Sequence, residues 1–258
     1  MTVLSNNLIV EGLFDEEEIL KNLKSLPTED DLPYDDGEPM ETPRHAEQMN
    51  MLIDSLKRYW SKRKHFFVGG NMFLYYTFQN QRECRGPDFF LVLDVEDRER
   101  KSWVVWQEKM RYPDVIIELL SDSTRKVDHG TKKEIYEQIF KTPEYFLYDP
   151  YSQEFLGYRL VGNRYRRLLP DNENKIYCQT TDLYLVIKDD WLRWMTEDRT
   201  IVPTIYESFE MQRLRADEEK QRAEAEKRRA DEAESKLQEQ RRMTEKLLEE
   251  YRRRFGEL

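Results

Sequence analysis

A chain of 258 residues with 38% hydrophobic and 36% charged residues can hold one sizeable core plus solvated helix or tail. The formal charge of −10 is lopsided: residues 1–42 carry −10, residues 205–258 carry −1, and the stretch between them is +1. That neutral middle excludes a uniformly basic nucleic-acid binder but leaves room for a local basic groove, and two cysteines, Cys84 and Cys178, without metal-ligand spacing exclude a disulfide framework.

Residues 1–42 open with a short apolar stretch and continue as acidic, proline-rich sequence (LPTEDDLPYDDGEPMETP). Composition favours a loosely packed acidic N-terminal arm; the alternative is an arm that packs across the core or guards a basic groove by mimicking phosphate charge. No apolar run approaches bilayer-spanning length, and the start lacks a signal-peptide pattern, so the expectation is a soluble cytoplasmic protein with no membrane partner.

From Pro43 a helix is expected. Met49, Leu52, Ile53, Leu56 and Trp60 recur at helical spacing, and proline suits a first turn. From His65 the pattern changes to short runs of aromatic and β-branched residues: FFV, MFLYYTF, FFLVLDV and SWVVW. These read as strands, with EDRERK between the last two as an exposed turn.

PDVIIELL, from Pro113 to Leu120, is almost continuously apolar, which suits a central strand covered on both faces. A helix is expected to start near Thr131, where Thr131 and Glu134 fit a capping box, with Ile135, Ile139 and Phe140 on its apolar face. EYFLYDP and EFLGYRL follow around the turn YDPYSQ, then NRYRRLL and LYLVI complete a strand-rich second half, with WLRWM as a short closing element. Pro203 marks a boundary, so the expected divisions are an arm over 1–42, a core over 43–204 and a charged helix over 205–258.

In that last segment Ala216, Ala223, Ala230, Leu237, Thr244 and Tyr251 lie seven apart. Their companions Lys220, Lys227, Glu234 and Arg241 are charged until Leu248 and Phe255. The seam is thin. A long solvated helix with weak coiled-coil capacity, dimerising near its end, stands beside a lone helix braced by neighbouring opposite charges.

The residue to explain is Glu118. A carboxylate inside an apolar strand is costly unless it is paired or holds a metal. Asp114, four residues away on the same strand, would lie about 13 Å off, too far to share an ion. Asp88 opens a different strand. If that strand runs beside PDVIIELL, a spacing of about 5 Å brings Asp88 and Glu118 together. Two carboxylates with open coordination positions make a magnesium site. The plain alternative is that Asp88 caps a turn and Glu118 pairs with a buried basic residue.

The segments DGEPMETPRHAEQMNMLIDSL, GPDFFLVLDVE, YPDVIIELLSDSTRKVDHGTKKEIY and TPEYFLYDPYSQEFLGYRL occur here in that order. Over about Tyr34 to Pro203 the chain resembles the bacterial Uma-type family of restriction endonuclease-like proteins, a branch of the PD-(D/E)XK nuclease superfamily. The resemblance implies an α/β core with a mixed sheet flanked by helices, and Asp88 and Glu118 as catalytic, metal-binding carboxylates for Mg2+, with Mn2+ as a substitute. One position departs from the pattern: the lysine expected two residues after the glutamate is Leu120. The resemblance nominates Lys132 from the following helix instead, with Lys126 and Lys133 as competitors. Tyr136, one turn on from Lys132, either supports the site or packs in the core, the core role being favoured. Asp128 reads as a helix-start residue and His129 as a solvent-facing turn residue. His45 and Glu47 begin the early helix, and some superfamily members use an acidic residue there, which makes Glu47 an extra candidate. Gln107 and Glu108 follow the SWVVW strand and are minor candidates for the lining of the expected cleft.

The leading expectation is therefore a magnesium-dependent DNA endonuclease, in which metal-activated water attacks phosphorus and Lys132 stabilises charge, acting as a monomer or as a homodimer through the core or the C-terminal helix. The second is a non-catalytic scaffold or DNA-binding adaptor that recruits partners through that helix. A sugar or nucleotide hydrolase has little support, because no glycine-rich phosphate loop, G-x-S-x-G or zinc-type His/Cys spacing is present.

Overall fold

A computed structural model describes residues 25–34, 42–77, 83–121 and 128–256. The chain divides between Thr204 and Ile205 into two compact units.

The first unit is built on a six-stranded sheet in the order β1-β4-β6-β7-β8-β9. Its strands are β1 (Phe66–Gly69), β4 (Phe89–Leu93), β6 (Val115–Leu119), β7 (Glu144–Tyr148), β8 (Phe155–Val161) and β9 (Arg164–Leu168). β6 and β7 run parallel, and the other neighbours are antiparallel. All five residues of β6 are buried. That is why the segment reads as an unbroken apolar run: alternation is lost when both faces are covered.

The two faces carry separate cores. On one, helix α1 (Pro43–Tyr59) lays Leu52 and Leu56 against Ile117 and Leu119, joined by Leu183, Leu185, Leu192 and Trp194 of a smaller antiparallel sheet. That sheet comprises β10 (Ile176–Cys178), β11 (Leu183–Lys188) and β12 (Trp191–Met195). Gln48, fully buried on α1, both donates to Leu192 O and accepts from Leu192 N at 2.9 Å, so the helix is stapled to β12. On the other face, Phe90, Val92, Ile116, Leu120, Tyr136, Phe140, Tyr145 and Leu147 cluster with Trp103 and Val105. Here β2 (Leu74–Tyr75), β3 (Cys84–Arg85) and β5 (Trp103–Val104) form a third, short sheet.

The helix after β6, α2, is unusual in its winding. It comprises a π turn (Asp128–Lys132), one α turn (Lys133–Ile135) and a second π turn (Tyr136–Phe140), ended by Lys141 in the left-handed conformation at φ 54. Thr131 lies inside this run, so the expected capping box does not form. The wide turns also shift the helical phase: Tyr136 and Phe140 are buried, while Ile139 is 48% exposed.

The SWVVW strand, β5, runs parallel to β2 in the short sheet. Two other expectations are corrected. EDRERK is not simply an exposed turn, because Arg100 is buried and donates to Glu108 at 2.7 and 3.0 Å. Nor are residues 25–34 loose. Leu32 is buried, Trp106 Nε1 donates to Pro27 O at 2.8 Å, and Glu29 receives Arg98 Nη1 at 2.6 Å. The acidity of this segment answers specific cations, Arg98 and Lys101. Over residues 25–34 this packing agrees with the alternative reading of the arm, whose residues 1–24 and 35–41 lie outside those described.

The second unit is one helix, α3 (Ile205–Phe255), exposed along nearly all its length. Tyr251 and Phe255 near its end pack ring on ring, with centroids 5.0 Å apart. Among the described residues no helix is long and apolar enough to cross a membrane.

Candidate active site

β4 and β6 pair antiparallel, with Phe89 opposite Ile117 and Phe90 opposite Ile116. Continuing that register by one residue sets Asp88 opposite Glu118, on the same face of the sheet. β4 begins at Phe89, and the Pro87 carbonyl is turned to Asn71 N. The Asp88 side chain supplies the acceptor for β6 instead: Oδ2 accepts from Leu119 N at 2.7 Å. Asp88 is half-buried, whereas Glu118 is fully buried.

The turn that carries Asp88 is clamped from β1. Asn71 N donates to Pro87 O at 2.9 Å. A β-carbon added at Gly70 would stand 2.1 Å from the Asp88 carbonyl oxygen and 2.9 Å from Met49 Sδ. Only glycine lets the two backbones approach so closely.

α2 supplies the partners of Glu118. Tyr136 OH donates to Oε1 at 2.7 Å, and Lys132 Nζ lies 3.0 Å from Oε2. The wide turns of α2 set Lys132 and Tyr136, four residues apart, over one carboxylate; π turns of this kind recur at functional sites. Tyr136 packs against Phe140 and Tyr145, as the core reading expects, while its hydroxyl reaches Glu118. Leu120, where the superfamily pattern has lysine, is buried in the core on that face. The ammonium that stands beside the carboxylate comes from a different element.

The remaining candidates are distributed as follows. Lys133 Nζ sits 3.8 Å from the centre of the Tyr158 ring. Lys126 and the side chains of Asp128 and His129 lie outside the described residues. Glu47 is exposed on α1, the helix that covers the opposite face of β6. Gln107 Oε1 accepts from Glu29 N at 2.8 Å, and Glu108 is paired with Arg98 and Arg100, so both are engaged in tying down the first segment. Asp114 accepts from Leu93 N at 2.7 Å, and burial raises its carboxyl pKa against the lowering effect of that amide and Arg111.

A residue the sequence did not single out for the site is His45. It is buried, its Nδ1 is 2.8 Å from Thr42 Oγ1, and its Nε2 is 3.2 Å from Leu120 O, at the end of β6. Both ring nitrogens therefore have a partner. The only signal in the sequence is a histidine beside a helix N-cap.

The chemistry of this donor set fits a divalent cation. Asp88 and Glu118 are hard oxygen ligands, and among the described residues no group of three or more His, Cys, Asp and Glu side chains could hold a metal. A cation held by this pair would draw its remaining ligands from water and substrate, the habit of magnesium rather than of structural zinc.

Residues 17–182 match the family Uma2, described as "Putative restriction endonuclease". No curated protein matches the chain. Among solved structures, one from Anabaena variabilis ATCC 29413, described as "a putative nuclease belonging to DUF820", is 21% identical. The match covers 68% of this chain and 96% of that one, with a TM-score of 0.43.

Proposed function

This chain belongs to the Uma2 family, with a restriction endonuclease-like fold, and on that premise we propose that it is a magnesium-dependent DNA endonuclease acting through Asp88, Glu118 and Lys132. The observation that carries the proposal is a fully buried carboxylate, Glu118, facing a lysine and a tyrosine beside a second acid on the next strand.

Asp88 and Glu118 would hold the cation, with Mn2+ able to replace Mg2+. When bound, the ion supplies Lewis acidity toward a phosphodiester oxygen and lowers the pKa of water. The chain's own groups do the rest. Leu119 N fixes the Asp88 carboxylate, and the Tyr136 hydroxyl fixes Glu118 Oε1, so the acids are oriented before substrate arrives. Lys132, with 17% side-chain exposure, keeps an ammonium between the buried Glu118 and solvent. There it offsets negative charge building on phosphate oxygens. Withdrawing Lys132 from Glu118 toward a phosphate exchanges one anionic partner for another, so the charge is never left unpaired.

The test is nicking of supercoiled plasmid DNA with magnesium or manganese. The wild type is expected to nick, and Asp88→Ala and Glu118→Ala are each expected to lose the activity. Cleavage that survives both substitutions contradicts the assignment. A wild type inert with every divalent cation leaves the non-catalytic scaffold as the better reading.

A further inference from the structure

Two consecutive lysines leave α2 in different directions. Lys132 goes to Glu118 and Lys133 to the face of Tyr158 on β8. Tyr158 is the cross-strand partner of Arg167 on β9, so the two side chains share a face. β9 is the outer strand of the six-stranded sheet and reads RYRRL, with Arg164, Arg166 and Arg167 exposed.

The three arginines are not equivalent. Arg164 is committed to Glu137, whose other oxygen accepts from Tyr165 N. Neither Arg166 nor Arg167 takes part in an ion pair among the described residues. Alternation along the strand then separates them. Arg167 lies in the row Tyr158, Tyr145, Ile116, on the side of the sheet that carries Glu118. Arg166 lies in the row Arg159, Glu144, Val115, on the opposite side.

A single charge is enough to block edge-to-edge pairing of an outer strand. An uncommitted arginine next to a lysine-capped aromatic ring, on the catalytic side, asks for another explanation. Three strand spacings across and two residues along separate the Arg167 position from that of Glu118, roughly 16 Å. A duplex advances about 3.4 Å per nucleotide along its axis, so a phosphate met there lies several nucleotides from the bond to be cut.

We propose that Lys133, over the Tyr158 ring, and Arg167, its cross-strand neighbour, form a phosphate-contact strip that engages the DNA backbone away from the cleavage point. This rests on the nuclease reading above. The strip is a local positive surface on a core that is close to neutral in total. It positions the duplex without reading sequence, because phosphate contacts fix register and carry no base information.

The experiment measures equilibrium binding of the full chain to a double-stranded oligonucleotide without magnesium, between about 50 and 200 mM salt, for the wild type and for Lys133→Gln, Arg167→Gln and Arg166→Gln. Each lost phosphate contact is expected to lower the slope of log affinity against log salt by about 1. Lys133→Gln and Arg167→Gln should each show that drop, while Arg166→Gln, equal in charge change but on the other face, should keep the wild-type slope. Slopes unchanged in Lys133→Gln and Arg167→Gln overturn the strip while leaving the nuclease reading intact. An equal drop in Arg166→Gln also overturns it, since the effect would then be one of general charge. A wild type that binds no duplex overturns the strip, and the nicking assay with magnesium then decides the nuclease reading separately.

Discussion

Glu118 and Glu144 are both buried carboxylates on the two central, parallel strands β6 and β7, and they are held in opposite ways. Glu144 faces the α1 side of the sheet, where it accepts from Arg159 Nε and Nη2 at 3.1 and 2.8 Å and from the backbone amides of Gln179 and Thr180 at 3.0 and 2.8 Å. The Cys178 thiol adds a fifth contact at 3.2 Å, and burial followed by the Glu144 charge pushes that thiol well above the ordinary range. Glu118 faces the α2 side and is met by an ammonium on a flexible stem and by a phenol. Backbone amides cannot leave a carboxylate without unfolding the segment they belong to, whereas a lysine side chain can. Burial alone therefore does not distinguish the two glutamates; the kind of partner each keeps does.

Substitution at both positions tests the contrast. Glu118→Gln should reduce nicking by at least about 10³-fold, since a cation-dependent step loses several kcal/mol of charge stabilisation, yet leave a folded protein. Glu144→Gln should do the reverse. Breaking a buried pair whose partners stay behind costs about 3 kcal/mol, which a urea titration would register as a lower midpoint, while the folded fraction keeps its activity. Destabilisation of similar size at both positions would erase the distinction.

A second variant sharpens it from the side of Asp88. Gly70→Ala forces the β1 backbone away from the Asp88 carbonyl, which a β-carbon would approach to 2.1 Å. The expected result is a loss of nicking near that of Asp88→Ala, from a residue with no functional group. Wild-type nicking by Gly70→Ala would show that the Asp88 corner tolerates displacement.

The smallest expected effect concerns Asp114, at the other end of β6. Its pKa is raised by burial, so the folded state binds the proton more tightly than the unfolded state. Its contribution is fully present below the ordinary carboxylate range and is lost as pH rises through the raised value. Asp114→Asn should therefore gain stability relative to the parent on going from acid to neutral pH, with nicking unchanged. Stability curves that stay parallel across that range would contradict the assignment.

Much of the candidate site is legible in the sequence because its signals are local. Glu118 interrupts an apolar run, and Pro87-Asp88 opens a second run that has to lie somewhere in the same sheet. Lys132 needed the resemblance, since nothing in its spacing separates it from Lys126 or Lys133. Glu144 went unremarked because its donors come from Arg159, Gln179 and Thr180, positions that mean nothing until β8 and β10 are in place. β10 itself, three residues long, is too short to show a period. The π turns of α2 were invisible for a related reason: winding is set by what Tyr136 and Phe140 pack against, and propensity does not carry that information. The acidic segment 25–34 was misread because composition counts charges without their partners, Arg98 and Lys101.

The central claim is that Glu118 and Asp88 jointly hold a divalent cation. Calorimetric titration of magnesium and manganese into the wild type, Asp88→Ala and Glu118→Gln tests it without reference to cleavage. Saturable binding by the wild type that disappears in both variants is the predicted result; equal binding by all three, or none by the wild type, would contradict it.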